Sequence, residues 1–164
     1  MSNLIESNLK ASSDDRFGII VSRFNEFVTE KLLDGCIQTL IKSGVDDKKM
    51  DIVKVPGAFE IPTVAKNLID LNKYNAIICI GCVIKGETPH FEYICSAVSN
   101  EIAYLGVLSG LPVIFGVITS DNVEQALDRA GGKLGNKGSE AALAAIEMVN
   151  LLKTLKKSTE KISV

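Results

Sequence analysis

The stretch AIICIGCVIKGETPHF, residues 76–91, opens as an unbroken apolar run and ends just past the only histidine of the chain, His90. Isoleucine and valine without polar alternation predict a strand over 76–83 that is buried on both faces. After the loop, FEYICSAVSNEIAYLGVLSG (91–110) sets Ile94, Val98, Ile102 and Leu105 on one stripe and predicts a helix. A buried strand that feeds a helix is half of a parallel strand–helix–strand unit.

The same alternation extends in both directions. RFGIIVS (16–22) predicts a first strand. NEFVTEKLLDGCIQTLIKSG (25–44) spaces Val28, Leu32, Cys36 and Leu40 by four, and Gly44 is a natural stop. MDIVKV (50–55) predicts a second strand, and EIPTVAKNLIDL (60–71) a helix that tolerates Pro62 in its first turn. PVIFGVIT (112–119) predicts a fourth strand. In SDNVEQALDRAG the pair Asp121 and Glu124 has the spacing of a capping box, which puts the cap at Asp121. GSEAALAAIEMVNLLKTLKK (138–157) predicts a long Ala-rich helix, and STEKISV (158–164) is expected to fray. The pattern is that of one α/β domain, a three-layer α/β/α sandwich around a parallel sheet.

Length and composition agree with this. The chain has 164 residues, which suits one domain with a core that needs no staples. Hydrophobic residues reach 46% while aromatics are only 5%, so the surplus is Ala, Val, Ile and Leu, some of it expected between subunits. A net charge of −2 lacks the basic field that nucleic acid demands. The segment MSNLIESNLKASSDD (1–15) shows neither an apolar core nor a cleavage signature. The longest apolar stretch, LGVLSGLPVIFGVI, is interrupted by Ser109, Gly110 and Pro112 and does not read as a membrane span. A cytoplasmic protein is expected. Cys79 and Cys82 spell C-x-x-C, but on a strand they point to opposite faces and read as buried small hydrophobes, with no metal.

In an open parallel sheet ligands bind at the carboxyl ends of the strands. The loops there are SRFN, VPGAFE and CVIKGETPH, and strand four ends in FGVITSDN. They gather Phe24, Asn25, Phe59, Glu60, Lys85, Glu87, Thr88 and His90 at one edge. Two phenylalanines at the lip of a sheet suit a flat ligand, though each could also pack a helix onto the sheet. KGET precedes a helix, where backbone N–H groups and the helix dipole favour an anion, with Gly86 allowing close approach and Thr88 adding a hydroxyl. His90 at the helix start is placed for proton transfer near neutral pH, or is a surface histidine capping a helix.

RAGGKLGNKGS (129–139) is not a phosphate loop of the Walker type, because Leu127 stands where a glycine is needed and a helix, not a strand, precedes it. Arg129, Lys133 and Lys137 either clamp a phosphate or are solvated surface. G-x-G-x-x-G and G-x-S-x-G do not occur, SRFN is not the loop that holds a flavin phosphate, and the acidic pair of a phospho-receiver is missing.

SRFN, VPGAFEIP, GCVIKGETPHFEYIC, PVIFGVITSDNVEQALDRAGGKLGNKG and EAALAAIEM, in this order and spacing from Arg16 to Leu152, resemble the lumazine synthase family of riboflavin biosynthesis. The G-x-T-x-H-F-E-Y stretch together with RAGGKLGNKG is the most specific part. Cys82, where many relatives carry Thr or Ala, is the mildest departure and bears only on a side-chain hydrogen bond.

The resemblance implies a flavodoxin-like topology on a four-stranded parallel sheet, and a domain over 16–157 between an N-terminal arm (1–15) and a tail (158–164). It implies a transferase without cofactor that condenses 5-amino-6-(D-ribitylamino)uracil with 3,4-dihydroxy-2-butanone 4-phosphate to the lumazine, releasing phosphate and water. By similarity Phe24 stacks on the pyrimidine, with Asn25 near it. Ala58, Phe59 and Glu60 hold the ribityl chain, and Cys82, Val83 and Ile84 offer backbone groups to the ring. Glu87 and Thr88 line the phosphate seat, and His90 moves protons. Phe115, Arg129 and Lys137 come from the neighbouring subunit, with Arg129 on the phosphate. The family forms pentamers, many of which close twelvefold into an icosahedral shell, and the uninterrupted GGKLGNKG resembles the shell-forming kind. Rival expectations are a domain that binds a flavin-like ring without turning it over, and a shell protein without activity.

Overall fold

The two most apolar strands lie in the middle of the sheet. In the computed structural model, which describes residues 4–160, β1 (Phe17–Ser22) pairs in parallel with β2 (Met50–Val55) on one side and β3 (Ala76–Ile84) on the other. β4 (Val113–Ser120) closes the far edge, giving the order β2-β1-β3-β4. Every residue of β1 and the first seven of β3 are buried, whereas the edge strands expose residues such as Ile52 and Phe115. Central strands lose water on both faces, so they carry the continuous apolar runs.

Helices cover both faces. α1 (Glu26–Lys42) and α5 (Lys137–Glu160) bury one core with Phe17, Ile19, Ile78 and Ile80. α2 (Ile61–Asp70) and α3 (His90–Ser109) bury the other with Ile20, Ile77 and Cys79. The stripe Val28, Leu32, Cys36 and Leu40 is fully buried, as the spacing requires. Truncating Leu32 to Ala would cost about 2–5 kcal/mol. Gly44, at φ 102°, ends α1 in the left-handed region that favours glycine. The Ala-rich sequence of α5 has a packing cause: a Cβ on Gly116 of β4 would stand 3.3 Å from the Ala141 methyl and 2.8 Å from the Cys79 carbonyl oxygen. Small residues on both sides bring helix and sheet into close contact.

Cys79 faces the α2/α3 core and Cys82 the α1/α5 core, and all four cysteines are free. Burial pushes the Cys36, Cys79 and Cys82 thiols up to about 12, so they stay neutral.

Two expectations are corrected, and one segment without an expected element has one. α4 (Val123–Asp128) is capped by Asn122, not Asp121: Asn122 is extended and its Oδ1 accepts from the Gln125 N–H at 2.9 Å, while Gln125 Oε1 accepts from the Asp121 N–H at 3.0 Å. Asn122 thus caps the helix one residue further along, and the return bond from Gln125 reaches the N–H of Asp121 rather than that of the cap. α5 continues through Glu160, so 158–160 is helical, and 161–164 lies outside the described residues. The Gly-rich segment after α4 is a small antiparallel hairpin of β5 (Ala130–Gly132) and β6 (Gly135–Asn136).

The described part of the N-terminal segment lies along its own α5. Asn150 Nδ2 donates to the carbonyls of Asn8 and Lys10, and the Ser7 hydroxyl donates to the Glu147 carbonyl. Asp15, 3% exposed, pairs with Lys153. Residues 1–3 fall outside the described residues. Among the described residues no helix is long and apolar enough to cross a membrane.

Candidate functional site

The connection from β1 goes to β2 on one side, and β3 returns to β1 on the other. The chain therefore splits between β1 and β3, and parallel sheets leave a crevice beyond the strand ends at such a point. A cleft of about 740 Å³ opens there.

The loop after β1 forms one wall. The Arg23 and Phe24 N–H groups donate to the Val55 and Pro56 carbonyls at 2.8 and 3.0 Å. Thr29, fully buried, donates its hydroxyl to the Ser22 carbonyl at 2.7 Å. Asn25 sits in the left-handed region, at φ 59° and ψ 43°, where Asn is among the residues best tolerated. It starts α1, and its Nδ2 donates to the Cys82 carbonyl at 2.9 Å, tying the β1 loop to the end of β3. These bonds hold the Phe24 ring in the cleft wall, 71% exposed.

The loop after β2 makes the second wall. Ala58, Phe59 and Glu60 form a 3-10 turn, and Glu60 Oε2 accepts from the Gly57 N–H at 2.9 Å, which leaves the other carboxylate oxygen free for a partner. Phe59 is 57% exposed. Both phenylalanines thus line the cleft and are largely exposed; neither serves as buried packing.

The end of β3 and the start of α3 make the floor and lip. Cys82, Val83, Ile84, Thr88 and His90 all line the cleft. His90 is the first residue of α3 and is exposed. Among the described residues, the side chains of Glu87, Thr88 and His90 make no hydrogen bond or ion pair. Glu87 and Lys85 belong to the same loop but lie outside the cleft lining. Nothing comes within 4 Å of the place a Gly86 Cβ would take, so the chain itself does not impose glycine there.

Phe115, Arg129 and Lys137 stand elsewhere. They line a separate groove on β4 and α5 that shares no residue with the cleft. Arg129 Nη1 donates to the Gln125 carbonyl at 2.8 Å, and Lys137 Nζ pairs with Glu140 Oε2 at 2.6 Å. Lys133, exposed near the hairpin tip, lines neither.

Sequence reading missed Gly57, Phe91, Tyr93 and Ile94 of the cleft lining. The signal for two of these was available: Tyr93 and Ile94 follow His90 by three and four residues, hence share its helix face.

Taken together, these features define a flavodoxin-like α/β protein with a cleft at its switch point, lined by two exposed phenylalanines and one imidazole. The comparisons narrow that class. The family model of 6,7-dimethyl-8-ribityllumazine synthase matches residues 14–153. The 6,7-dimethyl-8-ribityllumazine synthase of Desulfotalea psychrophila is 52% identical over 155 residues, 94% of this chain and 99% of that protein. That of Desulfatibacillum aliphaticivorans is 49% identical over 156 residues, 95% of this chain and 100% of that protein. The chain belongs to the 6,7-dimethyl-8-ribityllumazine synthase family.

Proposed function

We propose that the cleft condenses 5-amino-6-(D-ribitylamino)uracil with 3,4-dihydroxy-2-butanone 4-phosphate to 6,7-dimethyl-8-ribityllumazine, releasing phosphate and water. The observation that carries this is the meeting of Phe24, Phe59 and His90 around one switch-point cleft in a chain of this family. Phe24 offers its face to the pyrimidine, and the strand end Cys82–Ile84 offers backbone groups to the ring edge. The free oxygen of Glu60 accepts from ribityl hydroxyls, beside Ala58 and Phe59.

The amine adds to the ketone and loses water to give an imine, phosphate leaves by elimination, and the second amine closes the ring with loss of a second water. Each stage moves a proton, and the exposed imidazole of His90 can carry it. Positioning two substrates contributes much of the acceleration, with acid–base help worth about 10²–10⁴-fold. Thr88 and Glu87 flank the phosphate seat at the start of α3. The open space over Gly86 is consistent with a phosphoryl group approaching the backbone there.

Arg129, Lys137 and Phe115 reach this cleft in our reading only from a neighbouring copy. Two observations support a homo-oligomer. One is the separation of cleft and groove on a single chain. The other is the apolar outer face of α3, where Tyr104, Val107 and Leu108 are exposed, Val107 by 85%. A pentamer, and a shell of twelve pentamers, is the assembly we propose, in the cytoplasm, with arm and domain divided at residue 15. A passive ring binder or an inert shell would require neither the imidazole at the lip nor the paired cations.

Mixing the protein with both substrates and following lumazine fluorescence and free phosphate tests the reaction; no product overturns it. Assembling His90→Ala chains together with Arg129→Ala chains tests the shared site. At butanone phosphate concentrations well below KM, hybrids should exceed the average of the two variants, because some interfaces then join an intact cleft to an intact groove. No gain in the hybrids contradicts the shared pocket.

A further inference from the structure

We propose that Asn136 is a positioning residue for the cations Arg129 and Lys137. This rests on the groove they line being the phosphate-binding half of the site. The two are joined by the β5–β6 hairpin, and the Lys137 N–H donates to the Arg129 carbonyl at 2.8 Å, so they move as one unit. Ala130 of β5 packs this unit into the core with α1, and the side chain of Asn136 fixes it there by hydrogen bonds. Its Oδ1 accepts from the Gly138 and Ser139 N–H groups at 2.9 and 3.1 Å and so caps α5. Its Nδ2 donates to the Lys31 carbonyl in α1 at 2.9 Å.

A helix cap needs only the first pair of bonds. The bond to α1 is additional, and two glycines make room for it. A Cβ on Gly35 of α1 would stand 2.5 Å from the Asn136 carboxamide carbon. A Cβ on Gly138 would stand 1.9 Å from the Leu32 carbonyl oxygen. Neither glycine has a positive φ, so close approach, not backbone freedom, is their reason. Gly35, Asn136 and Gly138 therefore form a fitted lock between α1 and the root of the hairpin. Arg129 is further aligned by its bond to the Gln125 carbonyl, and Lys137 by Glu140, but both bonds lie within the same local segment. Among the described residues, only Asn136 hydrogen-bonds α1 from a side chain of the hairpin itself, beside the packing of Ala130 in the same core.

The test compares four variants by KM for each substrate, kcat and melting temperature. Asn136→Ala should raise KM for the butanone phosphate about tenfold, a modest loss given that ~1 Å of misplacement can cost about a hundredfold, and leave KM for the uracil unchanged. Asn136→Ser keeps a capping oxygen but cannot reach Lys31, so it should recover most of the melting temperature while KM for the phosphate substrate stays raised. Ser139→Ala removes a bond of similar kind, from the Ser139 hydroxyl to the Gly35 carbonyl at 3.0 Å, without touching the hairpin. It should lower the melting temperature and move neither KM. Equal changes in both KM values, no change in either, or the same split from Ser139→Ala would each overturn the proposal. If Arg129→Ala itself leaves KM for the phosphate substrate unchanged, the phosphate reading of the groove fails and this inference falls with it.

Discussion

The two ends of the same sheet treat polar groups in opposite ways. At the amino ends of the strands, Asp51 Oδ2 accepts from the Tyr74 hydroxyl and from Lys73, both at 2.9 Å, with Arg16 at 3.6 Å, and the Lys73 ammonium lies 4.8 Å from the Tyr74 ring centre. Each of these groups has its partner within the chain. At the carboxyl ends, among the described residues, Glu87, Thr88 and His90 find no such side-chain partner, and Phe24 and Phe59 are largely exposed. Parallel strands put every loop that follows a strand at one end, and rigid scaffolds carry chemistry on such loops. One end pairs its charged side chains with one another, whereas the other bonds Asn25 and Glu60 to the backbone and leaves Glu87, Thr88 and His90 unpaired among the described residues.

The contrast can be broken by variants that affect the wrong property. His90→Ala should lower kcat by about 10²–10⁴-fold and leave the melting temperature unchanged; a destabilised protein with wild-type turnover would reverse the assignment. Arg129→Ala should raise KM for the phosphate substrate about tenfold to a hundredfold, the loss of a charge-assisted hydrogen bond, and spare the uracil. Phe24→Ala should weaken the uracil about threefold to tenfold, measured by titration with the product lumazine. The smallest effect belongs to the other end. Asp51→Asn should lower the melting temperature by about 2–4 °C, the shift from ~1 kcal/mol at a partly exposed pair, with kcat and both KM values intact.

That last variant also carries a pH signature. The hydrogen bond from Lys73, with that from Tyr74 and the nearby Arg16, holds the Asp51 carboxyl below its ordinary range. A depressed carboxyl stabilises the folded state above its unfolded pKa, and that contribution disappears as pH falls through the folded value. The difference in melting temperature between wild type and Asp51→Asn should therefore be full at neutral pH and vanish in acid. A difference that grew on acidification would contradict the geometry.

Much of this was legible in the sequence. The β1 and β3 runs gave two strands buried on both faces, and four-residue spacing gave the buried stripe of α1. The loops that line the cleft could be found because chain direction alone puts SRFN, VPGAFE and KGETPH at one end. The order of the strands was not written in any local pattern, since it depends on which crossover turns back. The cap of α4 shifted by one because Asp121 and Asn122 offer equivalent oxygens, and backbone geometry chose between them. The hairpin at 130–136 left no apolar period to read, and Gly131 and Gly135, at φ 109° and 75°, look like flexibility until their neighbours are seen. Arg129 could not be assigned to His90 from spacing, because one chain keeps them in separate cavities.

His90 is the only imidazole in 164 residues, and it stands at the lip of the cleft. A proton NMR spectrum of this protein therefore contains one histidine ring system and needs no assignment. Its shift against pH gives the ionisation of the proposed proton carrier directly, and its response to each substrate in turn reports which ligand enters first.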